Sequence, residues 1–191
     1  MLLEQLIRQN RSYRRFYQDF HIATGNLKYF INLARLSPSA KNLQPLKYLI
    51  SNEDKTNEKI FKCLHWAGYL KDWDGPAEGE KPSAYIIMLG DNRIEKNISC
   101  DHGIAAQSIM LGAIEKGFGG CMIASIDKKT LRKEFSIADH YEIMLVIALG
   151  KPRETVVINE IDPNEDIKYW RDNNMVHHVP KRKIDNIILN L

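Results

Sequence analysis

Asp101-His-Gly-Ile-Ala-Ala-Gln-Ser-Ile-Met-Leu-Gly-Ala-Ile-Glu-Lys116, running into Gly117-Phe-Gly-Gly-Cys121, is the most informative stretch of this chain. Asp101 to Lys116 predicts a helix. Its apolar residues fall on nearly every face, the pattern of a helix buried in the middle of a larger body. Gly117 suits the left-handed conformation that closes such a helix. Gly120 to Ala124 then predicts a short strand, and Asp127 a cap for a helix reaching Phe135.

On either side of this unit lie the other elements. Ala84 to Leu89 is a continuous apolar run closed by Gly90, the mark of a buried strand. Tyr141 to Gly150 is the strongest strand, and Lys47 to Ser51 a shorter one. Leu27, Phe30, Ile31 and Ala34 recur at helical spacing; Thr24 or Asn26 would cap that helix, and Pro38 must end it. Asn57 to His65 predicts another helix, followed by a Gly/Pro-rich loop from Asp72 to Pro82. Leu2, Leu3, Leu6 and Ile7 fit one face of an opening helix. Helices come first, then strands and helices interleave, and no βαβ rhythm with a phosphate loop argues for a doubly wound parallel sheet. After Gly150 the chain is weakly periodic and broken by Pro152, Pro163 and Pro180. A tail of this length needs a surface to cover, and a partner subunit offers one.

The chain has 191 residues, the length of one domain, and 44% of them are apolar, enough for a real core. Its 27 basic and 24 acidic residues give a net charge of only +3, which does not argue for nucleic acid. No run approaches the ~20 apolar residues of a membrane span, and the N-terminus lacks the features of a secretory signal. Cys63, Cys100 and Cys121 are odd in number and widely spaced, so a disulfide framework is not expected and a cytoplasmic location is.

Four short motifs carry candidate chemistry. Arg11-Ser12-Tyr13-Arg14-Arg15-Phe16 packs three guanidiniums and a hydroxyl together, donors that match phosphate oxygens. In an extended stretch, Ser12 and Arg14 point one way, Arg11 and Arg15 the other. Taken alone, a solvated basic turn explains the segment better. Ser37 to Pro45 sets serines and carboxamides on a proline-stiffened loop, suited to the edge of a planar heterocycle; a helix stop and turn is the plainer reading. Gly117 to Cys121 permits close approach of backbone to a flat ring, or is merely a helix end. Lys181-Arg182-Lys183 is basic, as solvated tails often are.

In order and spacing, the four motifs resemble the nitroreductase family of FMN-dependent oxidoreductases. The likeness runs through Arg11 to Phe16, Pro38 to Pro45, Gly103 to Gly120 and Leu149 to Pro152, nearly the whole chain. It implies an α+β fold, a small and mostly antiparallel sheet flanked by helices, in an intertwined homodimer. It implies a single domain over residues 1–191, with 151–191 wrapping the partner. It implies that Arg11, Ser12 and Arg14 hold the FMN phosphate and the pyrimidine edge of the flavin. Pro38, Ser39, Asn42 and Gln44 would approach the flavin from the other subunit. Gly119 and Gly120 would offer backbone beside N5, and Lys181 with Arg182 or Lys183 would return to the phosphate. Arg14 and Gly120 are the expected catalytic positions, and NADH or NADPH the electron donor. Asn10 stands where many members carry a second arginine, and Leu46 where many carry tryptophan.

The flavin would supply the redox chemistry, leaving the protein to neutralise phosphate, set a cation near N1 and present an N–H to N5. The implied reaction is ping-pong transfer from NAD(P)H to a small acceptor such as a nitroaromatic or quinone. A flavin reductase, dehalogenase or biosynthetic oxidase, and a non-catalytic FMN carrier, are the rival readings. Cys100 and His102 lie two apart on a helix and do not face each other, which argues against a nucleophile–base pair. His177-His178 lacks partners at metal-ligand spacing. Trp66, Tyr69 and Trp73 line a substrate pocket or belong to the core.

Overall fold

The computed structural model describes residues 2–189, which form an α+β fold. The elements are α1 (Leu3–Gln9), β1 (Phe16–Tyr17), α2 (Thr24–Arg35), β2 (Leu46–Ser51), α3 (Asp54–Phe61), β3 (Ala84–Asp91) and α4 (Asp101–Glu115). They continue with β4 (Gly119–Ile123), α5 (Lys128–Glu134), β5 (Tyr141–Pro152), β6 (Val156–Ile161), β7 (Trp170–Arg171) and β8 (His177–Arg182). The main sheet runs β1-β5-β3-β2 with β4 also on β5, every pairing antiparallel.

Apolar residues in β3 divide by parity between the two faces. Ala84, Ile86 and Met88 pack with Leu27 and Phe30 of α2 and with Ala106, Ile109 and Ala113 of α4. Tyr85, Ile87 and Leu89 face the other way, onto Ile60 of α3, Trp66 and Leu131 of α5. Burial on both faces explains why β3 reads as an unbroken apolar run. Close packing of α4 on α2 leaves no room at Gly112, where a Cβ would lie 2.3 Å from Leu33 Cδ1.

The elements follow the sequence reading with three corrections. α3 starts at Asp54 rather than Asn57 and ends at Phe61, because Leu64 bridges Ile126 and the His65 N–H donates to Ser125, drawing the chain out of the helix. Ala23, not Thr24 or Asn26, precedes the first turn of α2 and makes no side-chain cap. α4 is not covered all round: Ile104 is 37% exposed, and Gly103 and Gln107 also face out. At the start of the neighbouring α1, Leu2 and Leu3 are 74% and 65% exposed, so the apolar face of the opening helix lacks a cover within its own chain. Asp127 does cap α5, accepting from the Thr130 N–H at 3.0 Å.

The tail forms a second sheet. β6 pairs in parallel with β8, and β7 antiparallel with β8. Glu154 anchors it: its carboxylate accepts from the main-chain N–H groups of Arg14 and Arg15 and from Arg171 Nη2 at 3.1 Å. The Glu154 side chain is fully buried and that of Arg171 9% exposed, so this is an ion pair out of water. Arg171 also stacks on Trp73, its Cζ 4.2 Å from the ring centroid.

Candidate functional site

The segment after α1 is not an extended strand. The Tyr13 N–H donates to the Arg11 carbonyl and also to Gly120, both at 2.9 Å, which makes a tight turn against β4. The turn overrides the alternation expected of these residues: Arg11, Ser12 and Arg14 all line one cavity of about 220 Å³. Arg15 leaves it, its Nε donating to Glu80 at 2.7 Å. Asn10, Gln107 and Met110 of α4, Met122 of β4, and Tyr169, His177, Val179 and Lys181 of the tail complete the lining. Residues from both ends of the chain thus meet.

Arg11, Arg14 and Lys181 make this cavity cationic, and two of its buried polar atoms have no partner in their own chain. Arg11 Nη2 donates to the Ile7 carbonyl at 2.8 Å, but its buried Nε has no partner. Burial lowers the Arg11 pKa from its ordinary value. Arg14 Nη1 donates to the Ser12 carbonyl at 3.2 Å and meets His177 Nε2 at 3.1 Å; the Arg14 Cζ sits 4.6 Å from the centroid of the Tyr169 ring. His177 is 1% exposed, and burial, then Arg14, Arg171 and His178, hold its pKa down at about 4. Its Nδ1 is buried without a partner. Asn10 donates to Gln107 Oε1 at 3.2 Å.

Lys181 and Arg182 are neighbours on β8 and so face opposite ways. Only Lys181 reaches the cavity; Arg182 turns to the Pro163 carbonyl at 3.4 Å, and Lys183 pairs with Asp162 at 2.7 Å. Gly119 and Gly120 lie buried in β4 and do not line the cavity. A Cβ at Gly119 would meet Tyr13 and Pro152 at 2.5 and 2.7 Å, and one at Gly120 the Ala148 carbonyl at 2.4 Å. Their smallness serves sheet packing.

Pro38, Ser39 and Gln44 line a different cavity of about 260 Å³, beside Asp101 and Ala105 at the start of α4. Asn42 is exposed and lines neither. The Ser39 hydroxyl donates to Asp101 at 2.6 Å and accepts from the Gln44 N–H at 2.9 Å. That clamp holds a backbone with three non-glycine residues at positive φ: Lys41 at 51°, Asn42 at 56° and Gln44 at 52°. Strain of this kind persists only where its surroundings enforce it.

The other constellations resolve structurally. His178 binds Asn159 and Asp172, and no metal-holding cluster occurs among the described residues. Trp66 is core and Tyr69 faces Tyr169 at 5.0 Å between centroids. Among the described residues no helix is long and apolar enough to cross a membrane.

The model of the nitroreductase family matches residues 7–151, which span α1 to β5. The chain belongs to the nitroreductase family. Membership assigns it to the oxidoreductases. This nitroreductase-family chain is 22% identical to a Bacillus subtilis (strain 168) protein provisionally named NAD(P)H nitroreductase MhqN, over 78% of this chain and 87% of that one. Its fold is similar to that of the nitroreductase family protein of Streptococcus pneumoniae TIGR4, with a TM-score of 0.72 at 16% identity and all of both chains covered. It is also similar to an FMN-dependent nitroreductase of Clostridium difficile R20291, with a TM-score of 0.67 at 23% identity, over 90% of this chain and 99% of that one. The nitroreductase fold is thereby established.

Sequence reasoning passed over several lining residues. A signal was available for two of them: Gln107 is the one carboxamide in an apolar helix, and Tyr169 an aromatic in a polar tail. His177 was weighed only as a metal ligand. Nothing in the sequence singled out Met110, Met122 or Val179.

Proposed function

We propose that this chain is an FMN-dependent oxidoreductase that takes electrons from NAD(P)H and passes them to a small organic acceptor by a ping-pong mechanism, as a homodimer with two shared sites. One observation carries the reading: Arg11, Ser12, Arg14 and Lys181, from opposite ends of the chain, converge on one cavity in which the buried Arg11 Nε lacks a partner. A donor set of this kind, short of acceptors, fits a phosphorylated ligand.

Arg11, Ser12 and Lys181 would hold the phosphate, and Arg14 would stand at the pyrimidine edge of the flavin. Bound FMN supplies hydride chemistry that no protein side chain offers. Arg14, only 9% exposed, carries its charge to the cavity from a buried position, where it stabilises negative charge developing on a ligand better than a fully solvated cation would. Met110 and Met122 give the site apolar walls that adapt to flat ligands.

A cavity of about 220 Å³ is smaller than the ~300–1,000 Å³ of a complete ligand site. A second copy would enlarge it, bringing the strained Pro38–Gln44 loop with the Asn42 and Gln44 side chains. The same copy would cover Ile104 of α4, Leu3 and Ile7 of α1 and Leu2 just before it, all substantially exposed in one chain. Residues 151–191 would share in that wrapping.

The test is an absorbance spectrum of the purified protein, identification of the flavin released by heat, and steady-state oxidation of NAD(P)H with a quinone or nitroarene. Released FMN and turnover are expected. Release of FAD, or of no flavin from protein that also fails to take up FMN, would sink the reading; retained FMN that NAD(P)H does not reduce would sink its catalytic half.

A further inference from the structure

Two arginines of this region are matched to carboxylates, whereas Arg11 and Arg14 are not. Arg15 pairs with Glu80 and Arg171 with Glu154. Arg14, 9% exposed, is held by neutral groups: the Ser12 carbonyl, the Tyr169 ring and His177 Nε2. A guanidinium nitrogen only donates. At 3.1 Å from Arg14 Nη1, His177 Nε2 must therefore accept, and the imidazole proton belongs on Nδ1. Burial, then the nearby Arg14, Arg171 and His178, keep the ring uncharged, and the Tyr169 ring packs against it with centroids 5.2 Å apart.

We propose that His177 is a positioning residue, a neutral acceptor that fixes the Arg14 guanidinium at the cavity without cancelling its charge. A carboxylate at this place would hold the guanidinium as firmly. It would also neutralise it, and a neutralised pair gives little to an anionic ligand in a low-dielectric cavity. Serine carbonyl, imidazole and aromatic face together orient the fork and leave the full charge to whatever enters. The unpartnered Nδ1–H is a second donor left over by the same arrangement.

The purpose given to the pair rests on the cavity being the FMN site, so the test has one arm that needs no flavin. Long-range ¹H–¹⁵N spectra of the flavin-free protein should show His177 protonated on Nδ1 and bare at Nε2 at neutral pH; a proton on Nε2 would overturn the pairing. In the second arm, His177→Phe, His177→Gln and His177→Glu are loaded with FMN. Phe removes the acceptor and should slow flavin reduction about tenfold, the equivalent of 1.4 kcal/mol. Gln restores a neutral acceptor and should recover most of that rate. Glu restores an acceptor but adds a negative charge, and should lower the midpoint potential of the bound flavin below that of both wild type and the Gln variant. Wild-type rate and potential in all three, or a Gln variant no better than Phe, would overturn the proposal. Failure of the wild type to bind FMN overturns the cofactor reading instead, and the spectra still decide the pairing.

Discussion

Replacing Gly120 with alanine tests whether the glycine cluster serves the sheet or a ligand. The new Cβ would lie 2.4 Å from the Ala148 carbonyl oxygen, 2.9 Å from Leu149 Cδ2 and 3.2 Å from Met110 Sδ. The leucine and methionine tips have room to shift, but the carbonyl does not. Ala148 is held in β5 between Tyr85 of β3 and Cys121 of β4, and moving it disturbs both ladders. Overpacking of a tight interior costs about 1–3 kcal/mol, and a backbone obstacle puts this site at the upper end. Against that stands a gain of about 0.4–1 kcal/mol from a stiffer unfolded chain. The net expectation is a loss of about 2 kcal/mol, or ~4–8 °C in melting temperature for a chain of this length. Gly103 is the control: it is exposed in α4 with nothing within 4 Å of its added Cβ, so Gly103→Ala should gain about 0.5–1 kcal/mol. Both are read by urea and thermal unfolding without added flavin. A Gly120→Ala protein of unchanged stability that has lost FMN would refute the packing argument and return the glycine to the ligand.

Glu154→Ala should cost about 3–5 kcal/mol, because it strands the buried Arg171 and frees the Arg14 and Arg15 N–H groups; a loss under ~1 kcal/mol by urea unfolding would show the ion pair to be incidental. His177 is depressed from 6.5 to about 4 in the folded chain. The unfolded chain therefore takes up the proton first, and stability present above pH 6.5 drains away as pH falls towards 4, by about 2 kcal/mol after allowance for screening. Unfolding of His177→Phe across that window should be flatter than wild type, and parallel curves would contradict the assignment. Ending the chain at Asn159 removes β7, β8 and Lys181, and should abolish both FMN binding and the dimer; size exclusion with light scattering reads the second, and a full-length, FMN-saturated monomer of 22.1 kDa would rule out the shared site.

Much of this was legible in the sequence wherever one physical rule dominates. Ala84–Leu89 and Tyr141–Gly150 read as strands because central strands are apolar throughout, and Asp127 read as a cap because its carboxylate has one local use. What failed turned on long-range contacts. The Arg11 side chain joins Arg14 because Tyr13 is pinned to Gly120, more than a hundred positions away, and no local periodicity carries that. The Ser39 hydroxyl is held by Asp101, a partner 62 positions away that no local pattern announces. The separation of Lys181 from Arg182 follows from strand alternation, but only once residues 177–182 are known to be a strand. Tail residues such as His177 and Tyr169 gained meaning only when the second sheet brought them back to Arg14.

The central claim is that the Arg11–Ser12–Lys181 side of the cavity takes the phosphate of FMN. Titration of flavin-free protein with FMN and with riboflavin, which differ by that phosphate alone, tests it most directly. Charge-assisted hydrogen bonds are worth about 1.5–3 kcal/mol each, so losing two predicts riboflavin binding at least ~100-fold weaker. One FMN per chain and that gap in affinity are expected, the gap narrowed by Lys181→Ala. Equal affinity for the two flavins would contradict it.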